Sequence, residues 1–145
     1  MENNGLLEWY GADKSWGRAR RKEILQKIIC AVKRCSPALL VFEQVSKIWR
    51  LSQKVYRGIQ EIRLDDIRGS VGRSQDFSVT FLPRWRHMRQ RWETVNTVML
   101  MQGMPPIKVY KVNGVYFVLD GHHRTSVARQ LGFCCIEAHI WEYTT

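Results

Sequence analysis

The spacing of apolar residues changes period along the chain, and each change marks an element. Ile24, Leu25, Ile28, Ile29 and Val32 recur at three- and four-residue steps, which predicts a helix with one apolar face. Ser15 is a candidate N-cap for it, and Arg18, Arg20, Arg21, Lys22, Lys27 and Lys33 lie opposite the apolar face. Ser36-Pro37 predicts a fresh start, because Ser caps well and Pro at the first helical position loses only an amide that has no partner there. Val41, Phe42, Val45, Ile48 and Trp49 then form a second apolar face, so the pattern predicts a helical hairpin joined at Cys35-Ser36.

From Ile62 the period shortens. Ile62, Leu64 and, less cleanly, Ile67 alternate with polar residues, predicting a short strand that runs into a two-glycine loop, Arg68-Gly69-Ser70-Val71-Gly72-Arg73. Pro83 is expected to open a third helix, with Trp85, Met88, Trp92, Val95 and Met99 as one buried stripe, closed by Gly103 and Pro105-Pro106. Ile107–Val112 and Val115–Leu119 are β-rich runs separated by Asn113-Gly114, the pair that tolerates the positive φ angles of a type I′ hairpin. Val127, Ala128 and Leu131 predict a short helix stopped at Gly132, and Ile136, Ala138 and Ile140 a last strand. The expected architecture is a mixed α/β (α+β) domain over 60–145, a small sheet with flanking helices, preceded by a basic helical hairpin over 1–59.

Composition narrows the function classes. Forty-five percent hydrophobic and 25% charged residues among 145 describe a chain able to bury one core. Apolar runs such as Ala38–Phe42 are far short of the roughly 18–20 residues of a membrane span, so no membrane span is expected. With Glu2, Glu8 and Asp13 and no apolar core, the N-terminus does not read as a targeting signal, and a cytoplasmic location is the expectation. Cys30, Cys35, Cys134 and Cys135 match neither a disulfide framework nor a zinc spacing and read as reduced, small buried hydrophobes. The net charge of +10 is uneven: residues 1–60 hold 12 basic and 5 acidic side chains, residues 61–145 hold 11 and 8. A polyanionic partner follows, whether nucleic acid, an anionic surface or a phosphorylated small molecule.

The residues with most chemistry form the turn Asp120-Gly121-His122-His123-Arg124-Thr125-Ser126. A helix start presents unpaired amides and the positive end of its dipole, so a glycine-entered turn there suits an anion. Arg124 adds a guanidinium, while His122, His123, Thr125 and Ser126 add donors for phosphate oxygens. Asp120 is placed to hold Mg²⁺ or accept a proton. The simpler alternative is that Asp120 only caps the helix and the histidines are solvated. In the earlier loop, Gly69, Ser70 and Gly72 let backbone approach a ligand, and Arg68 and Arg73 suit its phosphates. The run from Arg84 to Trp92 interleaves basic and aromatic residues; helical spacing favours Trp85 and Trp92 as core, with Arg84, Arg86 and Arg91 as solvated charges or phosphate contacts.

The stretch PPIKVYKVNGVYFVLDGHHRTSVARQLG, from Pro105 to Gly132, resembles the ParB/sulfiredoxin-like superfamily, in which a strand pair ends in a Gly-x-x-Arg turn opening a helix. IRLDDIRGSVGRSQDF resembles that family's first box, and together the likeness covers about residues 60–145. The whole chain is similar to small stand-alone ParB-like proteins with an Asp-Gly-His-His-Arg box. Three branches follow from the resemblance. Partition ParB proteins bind CTP at Gly-Glu-Arg-Arg-x-Arg; Gly121 and Arg124 match, but His122 and His123 replace the Glu-Arg pair and Ser126 the last arginine. Sulfiredoxins use a cysteine in Gly-Cys-His-Arg, where this chain has His122, so the thiol chemistry has no nucleophile. Free-amino-acid kinases of this fold use Asp-Gly-His-x-Arg, which Asp120, Gly121, His122 and Arg124 match; Asp65, Asp66 and Asp76 are candidates for the carboxylate that activates the substrate hydroxyl.

The resulting expectation is a nucleotide-binding protein taking a nucleoside triphosphate, ATP or CTP, with Mg²⁺. Asp120, His122 and His123 stand as catalytic candidates and Asp120 as metal ligand. Gly121, Arg124, Thr125, Ser126, Gly69, Ser70, Gly72 and Arg73 stand as phosphate contacts. NTP hydrolysis or small-molecule phosphoryl transfer is the enzymatic extension. The competing class is a non-catalytic DNA- or RNA-binding or regulatory protein acting through the basic N-terminal helices, with a metal-dependent nuclease behind it. A homodimer is compatible with either.

Overall fold

The computed structural model describes residues 16–21 and 38–144. Ser15, the face from Ile24 to Val32, Ser36-Pro37, Cys30 and Cys35 lie outside them. Six strands form one mixed sheet: β1 (Leu40–Val41), β2 (Lys54–Arg63), β3 (Ile67–Ser70), β4 (Ile107–Val112), β5 (Val115–Asp120) and β6 (Cys135–Tyr143). Their spatial order is β1-β3-β5-β4-β6-β2. Helices α1 (Phe42–Trp49), α2 (Arg89–Gln102) and α3 (His122–Gln130) flank it, and residues 16–21 are also helical. The architecture is mixed α/β, as the periodicity predicts.

The β4–β5 hairpin forms where Asn-Gly places it. Val112 faces Val115 across the turn, and Asn113 and Gly114 both have positive φ, 48° and 79°. β6 then pairs parallel to β4, from Ile107 opposite Ala138 to Val112 opposite Tyr143. Alternation sorts the side chains between two faces. Ile107, Val109, Val118, Ala138 and Ile140 pack under α2 and α3, whose Trp92, Val95, Val127 and Ala128 complete the main core. The opposite face carries a smaller cluster in which Phe42 of α1 meets Val112 and Phe117.

Four expectations are corrected. The chain at Leu40–Val41 is a strand paired parallel to β3, so the second helix begins at Phe42 and Val41 lies before it. β2 starts at Lys54 and pairs antiparallel with β6, so the division at 59/60 falls inside a strand and residues 40–59 contribute to the sheet. Arg68, Gly69 and Ser70 belong to β3 rather than to a loop, because Gly69 is packed: a Cβ there would overlap the Phe117 ring. The third helix begins late. Phe77 bridges to Pro83 and Trp85 is extended (φ −124°, ψ 138°), so a 3₁₀ turn at Arg86–Met88 starts the helical run and Trp85 is left 41% exposed.

Candidate functional site

Where β5 gives way to α3, the chain must turn sharply beside β4. Gly121 makes the turn with φ 104°, and a Cβ there would overlap the Ile107 side chain, so both backbone and space demand glycine. The first intrahelical bond runs from the Thr125 amide to the Gly121 carbonyl, 2.9 Å. The amides of His122, His123 and Arg124 precede it and point out of the helix start.

These three residues border a cleft of about 400 Å³. Arg73, just after β3, and Arg91, in the first turn of α2, reach it from separate elements, joined by His87 and by Asp120, His123 and Arg124 from the turn. Met88, Val95, Met104 and Leu119 supply apolar wall. Arg73 is held by Asp76, Nε to Oδ2 at 2.9 Å, and its guanidinium lies 5.4 Å from the centre of the Phe77 ring. Among the described residues Arg91 has no ion pair.

The two histidines are buried rather than solvated. His122 contacts Ser70 Oγ through Nε2 at 2.7 Å and stacks on Phe77 with ring centres 5.7 Å apart. His123 meets the same ring edge-on at 5.3 Å, and its Nδ1 is buried without a hydrogen-bond partner. Burial first, then the Arg73 charge, lowers both to about 4, so both are neutral at pH 7. They bring hydrogen-bonding capacity and little basicity.

Several expected phosphate contacts are engaged elsewhere. The Thr125 hydroxyl donates to the Gly121 carbonyl at 2.9 Å, and Ser126 Oγ accepts the Trp92 indole N–H at 2.9 Å; both residues are buried. Ser70 is buried and accepts the Arg73 amide besides contacting His122. Gly69 is a packing residue, whereas Gly72 is exposed with φ 80° and sets the turn that delivers Arg73. Arg124 is a tie: Nη1 donates to the carbonyls of Pro105 (2.9 Å) and Pro106 (3.0 Å), and Nη2 to Asp120 Oδ2 (3.1 Å). Reading local sequence misses these partners because most are distant in the chain. His87 was missed, and Arg91 stood only as a solvated charge or phosphate contact of the arginine-rich run, although His87, Arg91 and Val95 at four-residue steps are a signal for one shared face.

The cleft offers Asp120 as its carboxylate, exposed and with Oδ1 left by the Arg124 pair. Mg²⁺ usually takes one or two protein carboxylates plus substrate phosphates, so Asp120 fits a metal that arrives on a polyphosphate. Among the described residues no three His, Cys, Asp or Glu side chains converge on a metal position. Asp65 pairs with Arg63 and Arg129 by the β2–β3 turn, and Asp65 and Asp66 line a separate depression. Cys134 is exposed, against the expectation of burial, and its thiol hydrogen-bonding contact with Cys135, Sγ to Sγ at 3.2 Å, pushes the Cys135 thiol up to about 11. No helix among the described residues is long and apolar enough to cross a membrane.

No protein-family model matches the chain, and no curated protein does. Among solved structures it matches the crystal structure of sulfiredoxin from Arabidopsis thaliana, at 25% identity and a TM-score of 0.37, over 57% of this chain and 82% of that one.

Proposed function

We propose that the protein binds a nucleoside triphosphate in the Arg73–Arg91 cleft. The observation that carries this reading is the convergence of two guanidiniums from separate elements on one glycine-entered helix start. Phosphates sit against the amides of His122–Arg124, where the helix dipole favours negative charge, with Arg73 and Arg91 neutralising the rest. Met88, Val95 and Met104 give the sugar and base an apolar wall, and about 400 Å³ is within the ordinary size of a small-molecule site. Mg²⁺, where it accompanies the phosphates, meets Asp120. The resemblance of the Asp120–Arg124 box to ParB/sulfiredoxin-like proteins supports the same ligand class.

Phosphoryl transfer or hydrolysis is the finer form of this proposal, since such chemistry rests chiefly on positioning and charge neutralisation. Asp120, the carboxylate that lines the cleft, then holds the metal or takes the proton, while His122 and His123, neutral at pH 7, act as hydrogen-bonding groups. Calorimetric titration with ATP, CTP and GTP, each with and without Mg²⁺, tests the reading. One nucleotide is expected to bind saturably, and the paired change Arg73→Gln and Arg91→Gln to weaken it by about ten-fold or more. Binding that survives the paired change intact, or no binding of any nucleotide, overturns it.

A further inference from the structure

The sheet face opposite the cleft is only partly covered. Phe42 of α1 packs on Tyr110, Phe117 and Tyr143, and beyond them, towards the β2 edge, lies a second ring cluster in which Tyr56 is exposed and His139 and Trp141 are half-buried. Tyr56 lies 5.0 Å from Trp141 and 5.9 Å from His139, centre to centre, and His139 lies 6.2 Å from Trp141. Tyr56 is 48% and neighbouring Ile59 54% exposed, which is unusual for residues that prefer burial. The rings are held in place: the Tyr56 hydroxyl contacts His139 Nδ1 at 2.6 Å, and the strand pairs Tyr56–Trp141 and Ile59–His139 fix the register.

Charge beside the rings is positive at one end. Lys54 sits next to Tyr110, its Nζ donating to that hydroxyl at 3.2 Å and lying 4.8 Å from the ring centre. Lys108 is exposed and stands directly opposite His139 in the β4–β6 register. At the other end Glu61 faces Glu137 across β2 and β6, which repels a phosphate. Arg57 is neutralised by Glu142 at 3.2 Å.

From these contacts we infer that the Tyr56–His139–Trp141 face is a stacking platform for single-stranded nucleic acid. Bases lie on the three rings, and the sugar-phosphate backbone runs past Lys54 and Lys108 and away from the Glu61–Glu137 pair. Pre-ordered aromatic rings on a sheet, flanked by ammonium groups, supply the two interactions that a single strand offers: a π-face on every base and a charge at every phosphate. A duplex hides its base faces and gains only the charge. The acidic pair confines the footprint to about two or three bases, the number that ring platforms on other sheets accommodate. This surface is separate from the nucleotide cleft and does not depend on it.

The test is fluorescence anisotropy of a labelled oligo(U) or oligo(dT) of about twelve nucleotides, the range one small module covers, titrated with the full chain at low salt. Saturable binding is expected, weakened about five-fold or more by Tyr56→Ala and by His139→Ala, and largely kept by Tyr56→Phe, which preserves the ring. Changing Lys54 and Lys108 to Gln should flatten the plot of log affinity against log salt by about 0.7 per lysine. Tyr56→Ala should leave nucleotide titrations of the cleft unchanged, so the two sites fail separately. Absence of saturable binding, indifference to Tyr56→Ala, or equal competition by a duplex overturns the proposal. So does a wild-type dimer in sedimentation that Tyr56→Ala dissociates, since a second copy would then cover the face.

Discussion

The two faces of the sheet treat their histidines and aromatic rings in opposite ways. Beneath α2 and α3, Phe77 and Phe81 close over His122 and His123, and the rings that meet there are shut away from water. On the other face, His139 joins Trp141 and the exposed Tyr56 in a partly open cluster. Chemistry of the same residue types therefore serves different ends. In the closed face the imidazoles are fixed, neutral supports beneath an anion cleft whose positive charge comes from Arg73, Arg91 and the helix start. In the face across the sheet the rings themselves are the proposed contact surface. Burial converts aromatic residues into scaffold, and exposure leaves a ring face available for contact.

Removing a scaffold ring breaks the closed face most severely. Trp92 is fully buried, packs edge-on against Trp16 at 5.9 Å and donates to Ser126. Trp92→Ala is expected to cost about 3–5 kcal/mol of stability, from the lost burial and the cavity, and Ser126 loses its donor. Urea unfolding measures it. A loss near zero would mean that the cleft is not built on this core.

Acid sharpens the contrast next. His122 titrates at about 4 in the folded chain against 6.5 unfolded, so between these values the unfolded chain binds more protons. Stability is therefore fully present above about pH 6.5 and is lost as pH falls towards 4, by up to about 3 kcal/mol from His122 alone. His123, lowered to about 4 as well, moves stability in the same direction. Unfolding free energies at steps between pH 7 and 4.5 check this; His122→Gln should make the decline shallower, and an unchanged slope in that variant would show that His122 is not its source.

Arg124 distinguishes a ligand contact from a tie. Its guanidinium bonds to two proline carbonyls and to Asp120, anchoring the segment before β4 to the start of α3. Arg124→Ala should lower stability by about 2 kcal/mol, as expected for lost bonds to a charged group, and loosen the cleft entrance. Arg124→Lys, which cannot span three acceptors in a planar fork, should recover only part of that stability. Full recovery by lysine would make charge, not geometry, the contribution of this side chain.

What was legible in the sequence follows the range of the interaction. Asn113-Gly114 and Gly121 act within a few residues, so the hairpin and the helix start could be read directly. β2 could not, because in Lys54–Arg63 only Ile62 is buried and Gly58, with φ 81°, interrupts the register. Gly69 looked like a ligand-loop glycine because the ring it accommodates, Phe117, is distant in sequence. Ser126 looked like a phosphate donor because Trp92, its partner, lies 34 residues away. Of the turn residues, those that reach the cleft were found by their chemistry, and those that turned inward were misread because chemistry alone does not give direction.

Tyr56→Phe makes the smallest change and asks whether the open face is ordered or merely exposed. It removes the hydroxyl that contacts His139 Nδ1 and keeps the ring. At an exposed site, water replaces the lost partner, so the cost in stability should stay below about 1 kcal/mol. The rings should nevertheless gain freedom: with the bond gone, the ring contacts left to the His139 imidazole among the described residues are those to Tyr56 and Trp141. Side-chain relaxation of His139, followed by NMR on the fast timescale, should increase in the variant while the backbone amides of β6 stay as they are. Greater motion with little loss of stability identifies a platform pre-ordered by one hydrogen bond. Unchanged motion would assign that order to the β2–β6 register itself.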